Sequence, residues 1–423
     1  MSFTVQFRSF GWPSRMLMIN QFGINLGFYM LMPYLAGYLA GPLGLAAWAV
    51  GLVLGVRNFS QQGMFIVGGT LADRLGFKPL IVAGCVLRTG GFALLVVADS
   101  LPAVLIASAA TGFAGALFNP AVRAYLAADS GPRRVEAFAT FNIFYQAGIL
   151  AGPLVGLALL ALDFRIVAAL AAAVFAILTV AQLFALPQHR ATQPEKTTVL
   201  QDWRTVLANR SFLLFATAMI GSYILSFQVY LALPLHAKIL VPAHESLVVA
   251  MVFVVSGLVA VAGQLRITRW FTRRWGSGHS LVIGMLILAA AFTPIIAFPN
   301  GARFGELAAV SALVVAAAVL AVGSAAVFPF EMDVVVSLAK NQLVGTHYGF
   351  YNTIVGIGIL AGNLATGALM QAARNAGREE LVWLALSAVG LAAAAALYRL
   401  DRAGRLVPEL PSTPRYIAQS RKT

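Results

Sequence analysis

Long apolar runs alternate with short polar connections along the whole chain of 423 residues. The runs are continuous rather than alternating residue by residue, so they predict helices and argue against a membrane β-barrel. Each run holds about 20 residues, the length that crosses the hydrocarbon core of a bilayer. We therefore predict twelve membrane-spanning helices. Their approximate bounds are 15–39, 47–70, 79–98, 102–127, 137–161, 166–186, 211–235, 247–266, 280–298, 306–329, 345–370 and 381–400.

The two halves of the chain repeat each other. The pentapeptide GILAG begins at Gly148 in the fifth span and again at Gly358 in the eleventh. The first and seventh spans share Met-Ile, Tyr and Pro at one offset, which matches Tyr29 with Tyr230. Such a duplication predicts an all-α membrane protein of two pseudo-symmetric six-helix bundles. The predicted divisions are a first bundle at 1–186, a cytoplasmic linker at 187–210, a second bundle at 211–400 and a cytoplasmic tail at 401–423.

Composition supports a membrane location. Hydrophobic residues make up 60% of the chain and charged residues 10%, against about a quarter charged in ordinary globular proteins. The net charge of +14 could suggest nucleic-acid binding, but most Lys and Arg fall in short connections on the side that holds both termini. By the positive-inside rule this distribution predicts that both termini are cytoplasmic, and it argues against a nucleic-acid partner.

The connection after the second span reads GGTLADRLGFKPLI (68–81). It resembles the signature loop of the major facilitator superfamily. The matching residues are Gly69, Leu71, Asp73, Arg74, Gly76 and Lys78, while Phe77 departs from the pattern. The resemblance implies that the aspartate lies near the amino end of the eleventh helix, where an acid is favoured. We expect Gly76 to allow a turn, and Arg74 and Lys78 to reach Asp129.

The fifth span carries Gly148, Gly152, Pro153 and Gly156. This spacing resembles the antiporter signature of the same superfamily. Glycines four residues apart let a neighbouring helix approach closely, and the proline permits a bend. The resemblance implies that this helix packs at the interface between the halves of an efflux antiporter. Simple close packing of helices is the alternative.

Several polar and aromatic side chains fall inside the predicted spans. Arg57 and Arg88 lie mid-way along the second and third spans, where an arginine costs about 3 kcal/mol unless it faces a cavity or a partner. The arginine that drug exporters usually carry in the fourth span is absent, since Ser108 occupies the position. The predicted cavity-lining residues are Asn20, Gln21, Asn25, Tyr29, Arg57, Asn58, Gln61, Arg88, Tyr223 and Tyr230. Hydrogen bonding between helices is the alternative for the amides, and snorkelling for the arginines.

Proton coupling requires a carboxylate in or near the membrane. The first six spans contain none. The candidates are Glu331 and Asp333, at the end of the tenth span, and the internal repeat matches Asp333 with Arg123. We predict that Arg123 pairs with one of these acids when the cytoplasmic side is closed, and that protonation weakens the pair. Two solvated loop acids are the alternative.

The whole chain resembles the twelve-helix bacterial multidrug/proton antiporter branch of the superfamily. The resemblance implies a secondary active transporter that exports hydrophobic drugs by alternating access, contributes to antibiotic resistance and acts as a monomer. The alternative is a facilitator or symporter of an anionic metabolite bound by the intramembrane arginines. No phosphate-binding loop is present in the sequence, so we expect no ATP-driven transport, and no cluster has metal-ligand spacing, so we expect no metal. The resemblance implies no enzyme activity and no cofactor, and a location in the bacterial plasma membrane.

Overall fold

The computed structural model describes residues 3–45, 47–160, 163–187, 198–299 and 305–406. Every regular element in these ranges is helical. The α-helices are α1 (Phe3–Arg8), α2 (Trp12–Tyr29), α3 (Met32–Ala40), α4 (Ala47–Gln62), α5 (Phe65–Leu75), α6 (Phe77–Val97), α7 (Leu101–Ser130), α8 (Arg134–Leu160), α9 (Phe164–Ala185), α10 (Val199–Ala208), α11 (Arg210–Ser226), α12 (Ala232–Leu240), α13 (Glu245–Arg274), α14 (Ser277–Ala290), α15 (Thr293–Ala297), α16 (Glu306–Leu338), α17 (Val344–Asn375) and α18 (Glu380–Arg402). We call α2–α9 the N-half and α11–α18 the C-half.

The helices account for the predicted spans. Within the described ranges, nine stretches are long and apolar enough to cross a membrane. One of them, Leu101–Leu159, runs through both α7 and α8. The first and second predicted spans are each broken into two helices, α2 with α3 and α4 with α5. Parts of the predicted linker (188–197) and of the predicted tail (407–423) lie outside the described residues, and the division into two bundles stays a prediction.

The first and seventh spans break at corresponding places. α2 ends at Tyr29 and α3 begins two residues later, while α11 gives way to a short 3-10 helix, Phe227–Tyr230, before α12. Pro33 and Pro234 lie in the first turn of the helix that follows each break. A proline is tolerated there because the N–H groups of the first turn have no hydrogen-bond partner inside the helix, so the N–H that proline lacks is not needed. The two halves therefore bend at residues that the internal repeat matches.

The two GILAG segments also pack in corresponding ways. A Cβ added at Gly152 of α8 would lie 2.7 Å from the Tyr29 Cβ, so the glycine face of α8 rests on α2. In the C-half, Gly358 of α17 faces Ile220 of α11. The prediction that the fifth span packs at the interface between the halves is confirmed, since Asn142 of α8 bonds Gln264 of α13 and Leu150 of α8 packs against Gly257 of α13. The face that carries Gly148, Gly152, Pro153 and Gly156 is a different one. These glycines bring the fifth span against the first within one half, and Pro153 offers its carbonyl to the Tyr34 hydroxyl at 2.7 Å.

The halves meet on the side that holds the termini. α5 crosses α17 at Gly69, Gly345 and Gly349, where the two backbones touch. Nearby, the Asn142 amide of α8 donates to the Gln264 amide of α13 at 2.7 Å. These contacts close that side of the molecule.

Candidate functional site

The closed side is held by the carboxylate of Asp73, at the end of α5. Asp73 accepts hydrogen bonds from the Gly345 N–H (2.9 Å), the Thr346 N–H (2.6 Å) and the Thr346 hydroxyl (2.7 Å). These groups lie in the first turn of α17, a 32-residue helix, whose terminal N–H groups lack partners inside the helix and carry positive partial charge. Asp73 therefore joins the N-half to the C-half at the position that the resemblance implies.

Asp73 lies past the predicted second membrane span, 47–70, and is only 4% exposed. Burial raises its pKa to about 6, against the hydrogen bonds from Thr346 and Gly345, which favour the charged form. Gly76 lies three residues after Asp73, between α5 and α6. Its φ of 92° allows a tight connection, and any residue with a side chain would be strained at this φ.

The two cations of the same loop do not reach Asp129, so that prediction is wrong. Arg74 pairs with Asp202, its Nε at 2.9 Å and its Nη2 at 2.6 Å from Oδ2. Lys78 donates to the Leu183 carbonyl at 2.7 Å. Asp129 instead accepts from the backbone N–H and the hydroxyl of Ser14.

The partner of Arg74 belongs to α10, which we call the linker helix. A capping box between Thr198 and Gln201 starts this helix, and such a box satisfies two N–H groups at once. The Trp203 indole donates to the Thr70 hydroxyl of the N-half at 2.8 Å, and its ring stands edge-on to Phe350 of the C-half at 6.2 Å. The linker helix thus contacts both halves on the closed side.

Among the described residues, Arg123 does not form the predicted ion pair with Asp333 or Glu331, although it attracts Glu331 electrostatically. Arg123 Nη1 donates to Asn352 Oδ1 of α17 at 2.7 Å. Asp333 pairs instead with Arg134, the first residue of α8, at 3.0 Å. An ion pair does link the two halves through Asp333, but its cation comes from the fifth span because the fourth span turns Arg123 towards α17.

Glu331 is not a loop acid. It lies inside α16 and is 3% exposed. The hydroxyls of Tyr223 and Tyr351 both donate to its Oε1, at 2.6 and 2.7 Å. Arg123, on the opposite half, attracts it electrostatically. Glu331 is therefore a buried carboxylate that accepts hydrogen bonds from the C-half. The positive charge that attracts it, on Arg123, belongs to the N-half.

The two intramembrane arginines differ in their surroundings. Arg88 is 3% exposed and donates to the Thr111 carbonyl at 3.0 and 3.3 Å. Its guanidinium lies within 5.3 Å of the ring centres of Phe28, Phe118 and Phe175. Arg88 therefore does not line a cavity, and that prediction is wrong.

Arg57 is half-buried. Its Nη2 donates to Asn58 Oδ1 at 2.6 Å, and its guanidinium lies 5.0 Å from the Phe28 ring centre. Neither intramembrane arginine forms an ion pair with a carboxylate in the part of the chain that the structure describes.

The amides predicted on the first span are enclosed. Asn20, Gln21 and Asn25 are 2%, 2% and 5% exposed. Gln21 donates to Asn25, which donates to the Tyr145 carbonyl of α8 at 2.8 Å. Asn25 thus forms a hydrogen bond between helices, as the alternative expects, and Gln21 supports it from within α2. Both amide atoms of Asn20 lack a partner among the described residues.

A group of aromatic side chains meets between the halves. Tyr29 of α2 lies near Tyr145 of α8, Tyr230 of the C-half and Arg57. Tyr230 is 51% exposed, although its ring packs against Phe253 at 5.5 Å. Of the predicted lining residues, those that solvent reaches in part are Tyr29, Arg57, Asn58, Gln61, Tyr223 and Tyr230.

A separate cavity of about 840 Å³ lies at the far end of the N-half, away from the termini. Its walls include Pro33 and Tyr34 of α3 and Phe164 of α9, and the ion pair between Arg165 and Asp99 stands at its edge. Because every lining residue belongs to the N-half, this cavity is not the crevice shared by the two halves.

Sequence reasoning missed several residues that join the halves. These are Arg134, Asp202, Trp203 and Asn352. Asp202 and Trp203 carried a signal, since an acid and a tryptophan stand together in the polar linker. Metal binding has no candidate in the described ranges, where no three His, Cys, Asp or Glu residues group together.

Comparison with known proteins agrees with this architecture. The family model described as Major Facilitator Superfamily matches residues 17–363. An uncharacterized MFS-type transporter of Mycobacterium tuberculosis is 69% identical over 396 residues, which cover 93% of this chain and 94% of the relative. The multidrug resistance protein MdtH of Klebsiella pneumoniae is 30% identical over 399 residues, 94% of this chain and 96% of the relative. MdtH of Salmonella typhimurium is 29% identical over 375 residues, 88% and 90% of the two chains.

Proposed function

The chain belongs to the major facilitator superfamily, and from that premise we propose that it exports hydrophobic compounds in exchange for protons. It is a multi-pass membrane transporter, not an enzyme. The relatives named as multidrug resistance proteins support drugs as the substrate class. The aromatic group around Tyr29, Tyr145 and Tyr230 also supports this class, because binding sites for bulky apolar compounds are lined mainly by apolar and aromatic side chains.

The observation that carries the proton part of the proposal is the environment of Glu331. An ionised carboxylate taken out of water is costly unless a cation or hydrogen bonds compensate it. Glu331 has two tyrosine hydroxyls and the attraction of Arg123 across the interface. Uptake of a proton removes that attraction between the halves.

In the proposed cycle the described arrangement is closed to the cytoplasm and open to the other side. A proton that enters from outside neutralises Glu331 and weakens the hold of Arg123 on the C-half. The cytoplasmic side then opens, the proton leaves and substrate binds. Ionisation of Glu331 restores the closed state and carries the substrate outward. In this proposal both termini lie in the cytoplasm of a bacterium.

The test is Glu331→Gln in proteoliposomes with an imposed pH gradient and a cationic or neutral dye as substrate. Glutamine keeps the shape and accepts the tyrosine hydrogen bonds but carries no proton. We expect gradient-driven transport to disappear while exchange of dye for dye persists. Glu306→Gln is the matched control, because Glu306 is exposed in the first turn of the same helix. Gradient-driven transport that survives in Glu331→Gln would exclude Glu331 as the proton site.

The second candidate function is transport of an anionic metabolite. It is favoured by Arg57, which is half-buried beside Tyr29 and lacks an ion pair in the described ranges. Arg57→Gln separates the two functions. Loss of transport for anionic compounds alone supports the second candidate, whereas equal loss for cationic and neutral dyes indicates a coupling or structural role.

A further inference from the structure

A groove opens on the C-half, on the side that holds the termini, where the beginning of α11 meets the end of α18. It has a volume of about 310 Å³. Its lining residues are Leu214, Ala396, Arg399, Leu400, Ala403 and Arg405. The groove therefore combines an apolar floor with two guanidinium groups.

Within the described residues, the positive charge of this groove has no acidic partner. Arg399 and Arg405 are exposed, and neither forms an ion pair with a carboxylate within the described residues. The acid nearest in sequence, Asp401, faces α14, where His279 Nδ1 lies 2.7 Å from its Oδ2. The groove thus presents two cations and no acid among its lining residues.

The position of Arg405 is built into the end of α18. Gly404 has a φ of 64°, its N–H donates to the Asp401 carbonyl at 2.9 Å, and the Arg405 N–H donates to the Leu400 carbonyl at 2.9 Å. These two bonds form a Schellman motif, which folds the chain back over the last helical turn. Leu406 is fully buried and anchors the returning chain. Arg405 therefore stands at a fixed place over the groove.

The surroundings indicate that the groove lies at the level of the lipid headgroups. Arg210 begins α11 one turn before Leu214, on the same helix face. Tyr398 is 42% exposed, and the Arg402 guanidinium lies 5.3 Å from its ring centre. Exposed tyrosines with basic residues near a helix end are typical of the membrane–water interface.

We propose that this groove binds a phospholipid with an anionic headgroup. The phosphate is held between Arg399 and Arg405, since guanidinium groups match phosphate oxygens in charge and geometry. An acyl chain covers Leu214 and Ala396. Basic pockets between transmembrane helices suit anionic headgroups in this way. A free anion would compensate the arginines but would leave the apolar floor exposed.

The test is lipid binding to the full chain in detergent, measured by native mass spectrometry with phosphatidylglycerol or phosphatidylethanolamine. We expect at least tenfold tighter binding of phosphatidylglycerol. Arg399→Gln with Arg405→Gln should reduce its affinity about tenfold. Arg266→Gln with Arg273→Gln is the matched control, because these two arginines are exposed at the same side of α13, and should leave the affinity within twofold.

Two further arms distinguish the possible occupants. Ala403→Phe fills the groove without changing its charge, so it should weaken phosphatidylglycerol binding while the protein keeps its unfolding temperature. Inorganic phosphate at the same concentration should not displace the lipid, and displacement would identify a site for a free anion. Equal affinity for the two phospholipids overturns the proposal. The proposal is also overturned if the full chain shows no preference for phosphatidylglycerol and a chain without residues 407–423 does. That result would indicate that the chain's own tail occupies the groove.

Discussion

The crossing of α5 and α17 gives a prediction that a single methyl group tests. Gly349→Ala adds a Cβ that would lie 2.5 Å from the Phe65 carbonyl oxygen and 3.1 Å from the Ile66 Cα. Both neighbours are backbone atoms of the opposite half, so neither can rotate away. Relief of the clash requires the helices to separate by about 0.5–1 Å, a gap that forfeits a quarter to a half of each affected dispersion contact.

The expected magnitude follows from two costs. Overpacking of a close contact costs about 1–3 kcal/mol. The same separation stretches the bond from the Gly345 N–H to Asp73, which is 2.9 Å long, beyond good hydrogen-bond distance. We expect a penalty of about 2–3 kcal/mol against the closed state. Since 1.4 kcal/mol is a factor of ten, the ratio of closed to open molecules should fall roughly 30- to 150-fold.

The assay is the distance between spin labels at Leu75→Cys and Gln342→Cys, two exposed positions that flank the crossing on opposite halves, in a Cys85→Ala background. Gly349→Ala should shift the distribution to longer distances. Gly367→Ala is the matched control, because it lies on the same helix and a Cβ there meets nothing within 4 Å. An unchanged distribution in Gly349→Ala, or the same shift in the control, would show that close contact at this crossing does not hold the closed state.

Three further predictions use the same pair of labels or the transport assay. The pKa of Asp73 is about 6 in the closed state and near 4 once the carboxyl is solvated in the open state. The neutral carboxyl therefore favours the closed state, an effect that is complete below about pH 4 and is lost as the pH rises through about 6. In a Glu331→Gln background, Asp73→Asn should abolish this pH dependence of the label distance, and an unaltered profile would contradict the prediction. Arg134→Asp or Asp333→Arg alone should reduce transport, and the charge swap should restore it; a swap that stays inactive despite normal membrane expression would count against the pair. Asp202→Asn removes the carboxylate that fixes the linker helix and should lengthen the label distance, whereas no change would show that this helix does not hold the closed side.

The sequence was sufficient for features that depend on spacing along one helix. The apolar run lengths predicted the spans, and Gly76 predicted a tight turn, because both follow from local backbone chemistry. The contact of Asp73 with the eleventh span was implied by the family resemblance, and the favourable position of an acid at a helix N-terminus agrees with it. The repeated glycines correctly indicated close approach of a neighbour. They did not identify that neighbour, since a glycine face fits any helix brought against it.

Features that depend on helix rotation could not be predicted. The repeat matched Asp333 with Arg123, yet the pair forms with Arg134. A shift of one residue turns a side chain by 100° around a helix, so an approximate alignment of two halves cannot decide which cation faces which acid. The same limit applies to Arg88, whose depth was predicted but whose enclosure by three phenylalanines was not.

We propose above that substrate leaves in exchange for protons that enter, and that Glu331 carries the proton. The most direct measurement is proton movement driven by a substrate gradient, recorded with a pH-sensitive dye trapped inside proteoliposomes without an imposed pH gradient. Outward substrate flow should draw protons inward in the wild type and not in Glu331→Gln. Protons that move with the substrate, or do not move at all, would contradict it.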